Sequence, residues 1–439
     1  MLAAYMATTT IAPRRLLGIA LPDSVSVLGE RDFRVIWIGQ AVSMTGTWMQ
    51  AMASGLLVLQ LWNSAFALGA VNFANAVPSL ALMLFGGVLA DRGDKRKILL
   101  ITQAVMCALA LALAVLIATD LVEFWMIIVS AILLGIAFGY DMPAYQAFLP
   151  DLVPPDRIAQ VVALNSSTFH GSRMVGPALA GAVIGAFGIA TAYFLNALSF
   201  AAVIFSLLII RHRPQPRPGG PRMSAIDGLK EGLRHARDRS HLKALLMLTG
   251  LTCFFLFPTM AILSPYYVRE VLHRGPGVLG ALWAMSGVGS LAGAMALVWW
   301  PSQARTMRIW GAALLGPVGL TVMALTRDPV VAVLASGFTS ISFSTQLGLY
   351  QAMLQESTPP NFRGRIMSLH GITFNGTIPI AGLASAGLAV AIGMPQVMLL
   401  SAGLYLIGAV TILRFAGGGI DRVVRMTRME YELVSAART

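Results

Sequence analysis

Charge is scarce in this chain. Of its 439 residues only 11% are Asp, Glu, Lys or Arg, while 57% are hydrophobic. Soluble domains carry roughly a quarter charged residues, so most of this surface cannot face water. Cysteine is scarcer still. Cys107 and Cys253 both stand in apolar runs, which excludes a disulfide framework and a thiolate metal site, and no cofactor motif is present. The pattern Gly-x4-Gly-Lys-Ser/Thr does not occur, so ATP hydrolysis by a phosphate-binding loop is excluded. Met1 to Leu28 lacks a continuous apolar core ending at a cleavage site, and the N-terminus is therefore expected on the cytoplasmic side.

What the chain does hold is a succession of apolar runs. About 20 such residues are needed to cross a bilayer as a helix. Runs of that kind recur at 33–60, 66–89, 98–118, 124–148, 159–185, 190–210, 244–268, 276–299, 309–325, 329–352, 365–388 and 395–414. The expected fold is therefore an all-α membrane protein of twelve transmembrane helices, with both termini on one side.

The net charge of +12 would fit a nucleic-acid binder, but its placement does not. With a cytoplasmic N-terminus, 27 of the 31 Lys and Arg fall on the inner side, as the positive-inside rule requires. Arg269, Arg274 and Arg327 fall outside, Arg173 falls within a span, and the outer loops carry Asp120, Glu123, Glu270 and Asp328. An anionic inner leaflet accounts for the basic residues, so membrane lipids are expected partners and nucleic acid is not. The layout divides into a cytoplasmic segment 1–32, a first half 33–210, a linker 211–243, a second half 244–414 and a cytoplasmic tail 415–439. The linker opens on Arg211 to Arg222, rich in Pro and Arg, which excludes a helix there. Ser224 and Asp227 then form a capping box. They open an amphipathic helix with Ile226, Leu229, Leu233 and Ala236 on one face and Lys230, Arg234 and Arg237 on the other, suited to the cytoplasmic membrane surface.

The halves repeat in sequence. Tyr145-Gln146-Ala147 matches Tyr350-Gln351-Ala352 at an offset of 205, and the same offset pairs Pro154-Pro155 with Pro359-Pro360 and Thr168-Phe169 with Thr373-Phe374. Two parallel six-helix halves form a transporter architecture, with the substrate site between them near the midplane.

After the second span comes Gly87-Val88-Leu89-Ala90-Asp91-Arg92-Gly93-Asp94-Lys95-Arg96. It resembles the G-x-L-a-D-r-x-G-r-k signature of the major facilitator superfamily, with Asp94 where that pattern has glycine. The resemblance covers essentially the whole chain. Together with Arg363-Gly364-Arg365 and Leu149-Pro150-Asp151, the motif is most similar to the enterobactin-exporter and macrolide-efflux branch. The resemblance implies that Asp91 latches the inner side shut against the N-terminus of the eleventh helix, where a carboxylate is favoured. It also implies that Gly87, Arg92, Lys95 and Arg96 belong to the same gate, the bases pairing with acids on neighbouring helix ends. The second half has Trp299-Trp300-Pro301-Ser302 at the corresponding place, without the carboxylate.

The fifth span carries Gly171, Arg173, Gly176, Pro177 and Gly181. This resembles the family's G-x-x-x-G-P-x-x-G-G antiporter motif, with a longer first spacing and Ala182 in the last glycine's place. Small residues permit close helix approach, Pro177 can bend the helix, and the motif implies export over import.

Ionisable groups inside a bilayer are costly and usually functional. Asp141, Arg173, His170 and His370 qualify. At 1.5 Å per residue, Arg173 and Asp141 differ in depth by about 15 Å, too far to pair. For Asp141 two readings stand: the site of a coupled proton, or an inner-side partner of Arg92 or Arg96. Arg173 either bonds polar groups of its own helix bundle or meets an anionic group on the substrate. Both histidines read as hydrogen-bonded core residues.

Uncharged polar residues recur at spacings of three and four. Gln40, Ser43, Thr47 and Gln50 do so on the first span, and Asn72 and Asn75 lie on the second. With Gln346 and aromatics such as Trp48 and Tyr140, they are candidates for a cavity suited to an amphipathic ligand, although bonds between helices also explain the stripe. The expected function is a proton-coupled exporter of a small amphipathic compound, such as a siderophore or antibiotic, in the bacterial inner membrane. Its partners would be that small molecule and protons. An importer of an organic acid or other small solute on the same fold is the alternative, and a non-transporting receptor stands further off.

Overall fold

The computed structural model describes residues 15–16, 19–20, 23–211, 225–299 and 305–414. Six long helices come first: α1 (Arg31–Trp62), α2 (Ala65–Arg92), α3 (Lys95–Ala118), α4 (Phe124–Phe148), α5 (Ile158–Phe187) and α6 (Ile189–Ile209). A linker helix α7 (Ala225–Arg237) follows. The second group comprises α8 (Ser240–Phe255), α9 (Ser264–Glu270), α10 (Pro276–Trp299), α11 (Arg305–Leu325), α12 (Pro329–Glu356), α13 (Pro360–Ile392) and α14 (Met394–Arg414). Phe85, Ile101, Phe187, Phe205 and Ile407 are each more than 60% exposed, an outer face for lipid rather than water.

Helices stand at all twelve expected places. Among the described residues nine spans are long and apolar enough to cross a membrane, and the apolar part of α11 is shorter. The helices α1 and α5 are not among the nine, because each threads polar residues through its length. Those polar residues reach the protein interior: Gln40, Ser43 and Gln50 on α1 and Thr168 and Ser172 on α5 are all buried. Low hydropathy here marks helices that face other helices.

The seventh run, expected to be unbroken from 244 to 268, is interrupted. Between α8 and α9 the chain makes a π turn over Pro258–Ile262, with the Leu263 N–H donating to the Pro258 carbonyl at 2.8 Å. Pro258 and Pro265 each lack an N–H, so carbonyls one turn earlier lose their usual partners. The hydroxyls of Thr259 and Ser264 donate to the Leu256 and Ala261 carbonyls instead, as Ser and Thr do in broken membrane helices.

Asp94, the departure from the signature, has a local reason. It is the N-cap of α3, accepting the Lys97 N–H, which satisfies one of the orphan donors of that helix.

The repeat is visible in the backbone. Gly188, between α5 and α6, and Gly393, between α13 and α14, take nearly the same left-handed conformation at φ 83° and 88°, and they are 205 residues apart. Both turns need glycine.

In the first group α2 packs on α4, α3 on α4 and α6, and α1 on α5 and α6. In the second, α12 packs on α8, α10 and α11, and α13 packs on α8. The groups are joined chiefly by α5 with α10 and by α2 with α13, and less extensively by α1 with α9. The seam is tight at one end. A Cβ on Gly181 would lie 3.4 Å from Gly280 Cα, one on Gly280 would lie 2.8 Å from the Pro177 carbonyl oxygen, and one on Gly69 would touch Ala386. At the end nearer the linker, added Cβ atoms on Gly87, Gly171, Gly364, Gly371 and Gly376 would meet nothing within 4 Å. Among the described glycines, the close approaches between the halves all lie away from the linker end.

The linker helix does more than lie on a surface. Its Gly232 abuts the Arg365 backbone, Glu231 pairs with Arg365 at 2.8 Å, and His235 stacks on Phe362 with ring centroids 3.9 Å apart. Partial burial and the neighbouring Arg239 hold the His235 imidazole below its usual range. Ala236 is buried, whereas Leu233 points outward. Thus α7 is docked on the N-terminal turns of α13. The side chains of Ser224, Ile226, Asp227 and Leu229 lie outside the described residues.

Candidate functional site

A cavity of about 490 Å³ lies between the two groups of helices. From the first group it takes Thr47, Trp48 and Gln50 on α1, Asn72 and Asn75 on α2, and Phe138 and Met142 on α4. The second group adds Trp283 on α10 and Asn375 on α13. Aliphatic side chains make up most of the lining, with amides, hydroxyls and aromatic rings set among them, and no Asp, Glu, Lys, Arg or His is among its described residues.

Several lining residues are held rigidly. The Asn196 amide donates to Gln50 Oε1 at 2.6 Å, and Asn75 donates to the Ala131 carbonyl at 3.1 Å. The Trp283 indole donates to Ser264 Oγ at 2.7 Å, and the Trp48 ring meets it edge to face at 6.3 Å between centroids.

The cavity is closed toward the tight end of the seam. There Arg269 Nη1 donates to the Leu59 carbonyl at 2.6 Å, joining the second group to the last turn of α1. A cation is favoured at that helix C-terminus, where carbonyls lack intrahelical partners. Pro265 lies against Gly55 just below, where any larger side chain would force the two groups apart.

The α1 stripe divides. Thr47 and Gln50 reach the cavity; Gln40 and Ser43 are buried elsewhere along the helix, Gln40 with its Oε1 unbonded. Tyr140 is not in the lining, since its backbone is pressed against Gly86. Gln346 also lies away from the cavity. It is fully buried, donating to the Ala312 carbonyl and Ser342 and accepting from the hydroxyls of Thr252, Tyr350 and Tyr405. Two residues that spacing does not single out, Asn196 and Trp283, are prominent instead. The signal for Asn196 was present: a lone amide within an apolar run is costly unless bonded.

Asp141 is buried at 6% exposure on α4, one residue before the lining residue Met142. Its carboxyl turns toward α3, where Thr102 Oγ1 donates at 2.6 Å and Gln103 Nε2 at 3.0 Å. Among the described residues no cation pairs with it. Arg96 instead donates to the Leu208 carbonyl, at the last turn of α6. Gln103 Oε1 and the Tyr145 hydroxyl are buried nearby without partners. A carboxylate only accepts, whereas a protonated carboxyl also offers one O–H donor, so this cluster can serve both forms.

At the gate motif, Lys95 bonds Asp151 and the Ala147 carbonyl, tying the α2–α3 connection to the end of α4 within the first group. Gly87 has no close neighbour. The side chains of Asp91 and Arg92 lie outside the described residues.

On α5, Gly176 lets α1 approach, with the Thr45 carbonyl 2.6 Å and Trp48 Cβ 2.8 Å from where a Cβ would stand. Pro177 and Gly181 form the seam with α10, and Gly171 is open. The Arg173 guanidinium lies 5.6 Å from the Trp48 ring centroid and forms no ion pair among the described residues. His170 Nδ1 is buried without a bond beside it. His370 approaches the Thr249 hydroxyl at 3.4 Å.

Comparison with known proteins agrees with this geometry. The profile of a family described as transmembrane secretion effector matches residues 23–436. Macrolide efflux protein A of Streptococcus pyogenes is 25% identical over 377 residues, covering 84% of this chain and 92% of that protein. The staphyloferrin A transporter of Staphylococcus aureus is 31% identical over 170 residues, 37% of this chain and 41% of that one. Among solved structures, the nucleoside transporter NupG superposes with a TM-score of 0.68 at 12% identity, over 88% of this chain and 98% of NupG. That likeness establishes the shared fold.

Proposed function

We propose that this chain, which belongs to the transmembrane secretion effector family of the major facilitator superfamily, exports a small amphipathic compound in exchange for protons. The observation that carries the reading is the cavity between the halves, together with the buried Asp141 on α4, one residue before the lining residue Met142. A mostly apolar space that holds uncharged amides, hydroxyls and aromatic rings fits a compound that is partly apolar. An intramembrane acid whose bonding partners among the described residues are all neutral is by default a functional group. A relative named for macrolide efflux supports efflux as the direction.

The reading assigns the linker end to the cytoplasm, both termini with it, in the inner membrane of a bacterium. The seam is then shut on the outer side by Arg269 and the α5–α10 glycines, and the halves are parted within. A substrate enters from the cytoplasm, and the halves rock until α2 and α13 meet at their inner ends. Asp91, at the C-terminal end of α2, holds that closed state against the N-terminus of α13. Asp141 gives up its proton to the cytoplasm and is reloaded from outside, so that one return swing delivers a proton inward.

The test uses everted membrane vesicles that acidify their lumen by respiration. A labelled amphipathic compound should accumulate only in vesicles containing the protein, and a protonophore should release it. Accumulation that persists after the pH gradient is collapsed would sink proton coupling. Uptake into right-side-out vesicles under an inward proton gradient would instead establish import.

A further inference from the structure

The cavity has a feature that its volume and polarity leave unexplained. The described residues of its lining include no carboxylate, so none of them neutralises a positively charged ligand. The acid nearest in sequence, Asp141, is committed to Thr102 and Gln103 on α3. Against the wall formed by Trp48 stands Arg173, stacked 5.6 Å from the ring centroid and without an acidic partner among the described residues. An arginine keeps its charge at any physiological pH. Stacking on an aromatic face offsets part of its desolvation, but leaves its field uncancelled in surroundings where charges are poorly screened.

We propose that the Arg173–Trp48 pair makes the cavity selective by charge, admitting neutral and anionic amphiphiles and rejecting lipophilic cations. This rests on reading the cavity as the transport site. Trp48 and Trp283 supply the apolar contact, Gln50, Asn72 and Asn375 the hydrogen bonds, and Arg173 sets the sign of the potential. A ligand bearing a carboxylate gains from that potential, and one bearing a quaternary ammonium loses by it. Gly176, which allows α5 to approach Trp48, positions the arginine.

The experiment places the full-length protein in nanodiscs of uncharged phosphatidylcholine. It measures energy transfer from tryptophan to three dansyl-alkyl probes that differ only in ending as a carboxylate, a carboxamide or a trimethylammonium. Unlabelled carboxamide is the competitor that removes bilayer partitioning. The wild-type protein should bind the carboxylate at least about tenfold more tightly than the trimethylammonium probe. In Arg173→Gln that ratio should fall to within about twofold, and Arg173→Lys, which keeps the charge, should retain most of it. Should Arg173→Gln not fold, the wild-type ratio and the lysine variant still decide. Equal or tighter binding of the trimethylammonium probe by the wild type would overturn the inference, as would an unchanged ratio in Arg173→Gln. Failure of even the carboxamide to bind the wild type would overturn the cavity reading itself, and the inference with it.

Discussion

The two halves follow the same chain path, yet they divide the chemistry unequally. At equivalent stations 205 residues apart stand Asp141 and Gln346, each buried, each one turn before a tyrosine of the shared Tyr-Gln-Ala run. Gln346 is saturated: two amide donations and three hydroxyls on its oxygen fix α8, α11, α12 and α14 together. Asp141 has two neutral donors from one helix and leaves Tyr145 and Gln103 Oε1 unbonded beside it. The gate motif follows the same division, with Asp91 in the first half and Trp299-Trp300 opposite it in the second. A saturated neutral network specifies one packing, whereas an acid with spare neighbours can change state. On the proposed reading the first half carries the switching groups, while the Gln346 network of the second holds a single packing.

The contrast can be broken at either end. Asp91→Asn should insert normally and transport at least about tenfold more slowly, since a carboxylate at a partly buried helix N-terminus contributes up to about 2 kcal/mol. Wild-type rates in everted vesicles would reduce the motif to a topology anchor. Gln346→Leu should fail differently. It strands the hydroxyls of Tyr350 and Tyr405, each costing about 1–3 kcal/mol, while Thr252 keeps its bond to the Leu248 carbonyl. The measurable result is a lowered unfolding temperature in detergent, with whatever protein remains folded still coupled to the gradient. Loss of coupling without loss of stability would show that the second half also switches.

Smaller effects come from the two ends of the seam. Removing the Arg269 donation to Leu59 by Arg269→Gln costs about 1–2 kcal/mol of the outer-closed state. A cysteine replacing Ser54 in the cavity lining should then react with an impermeant thiol reagent added from outside several-fold faster than with Arg269 intact. An unchanged rate would remove Arg269 from the closure. Arg365→Gln on the inner side breaks a half-exposed pair with Glu231, of the kind worth about 0–1 kcal/mol. Transport there should stay within about twofold of wild type, and a larger loss would make α7 part of the gate.

How much of this the sequence discloses depends on the range of the interaction. Span positions are local, because roughly 20 apolar residues declare themselves, and all twelve expected places are helical. The break at 258–265 was equally local, its two prolines being in plain view, but the apolar run across them masked it. Thr47, Gln50, Asn72 and Asn75 were legible as cavity groups through helical spacing. Gln346 was misplaced at the cavity, because its cage includes Tyr405, 59 residues onward on α14, and no periodicity within α12 registers a helix that has yet to arrive. Thr102 and Gln103, 39 and 38 residues before Asp141, are invisible for the same reason. So is Arg269 against Leu59, which joins opposite halves of the chain. The fold was readable in pattern, and the site only where its residues share one helix.

The central claim, that Asp141 carries the exchanged proton, is tested most directly by Asp141→Asn in membrane vesicles. An amide keeps the shape of the carboxyl and can accept from Thr102, but it cannot cycle a proton. Accumulation of a labelled amphipathic compound under an imposed pH gradient should vanish in this variant, while its exchange across the membrane at equal pH continues at close to the wild-type rate. Full gradient-driven accumulation by Asp141→Asn would contradict the account and move the coupled proton elsewhere.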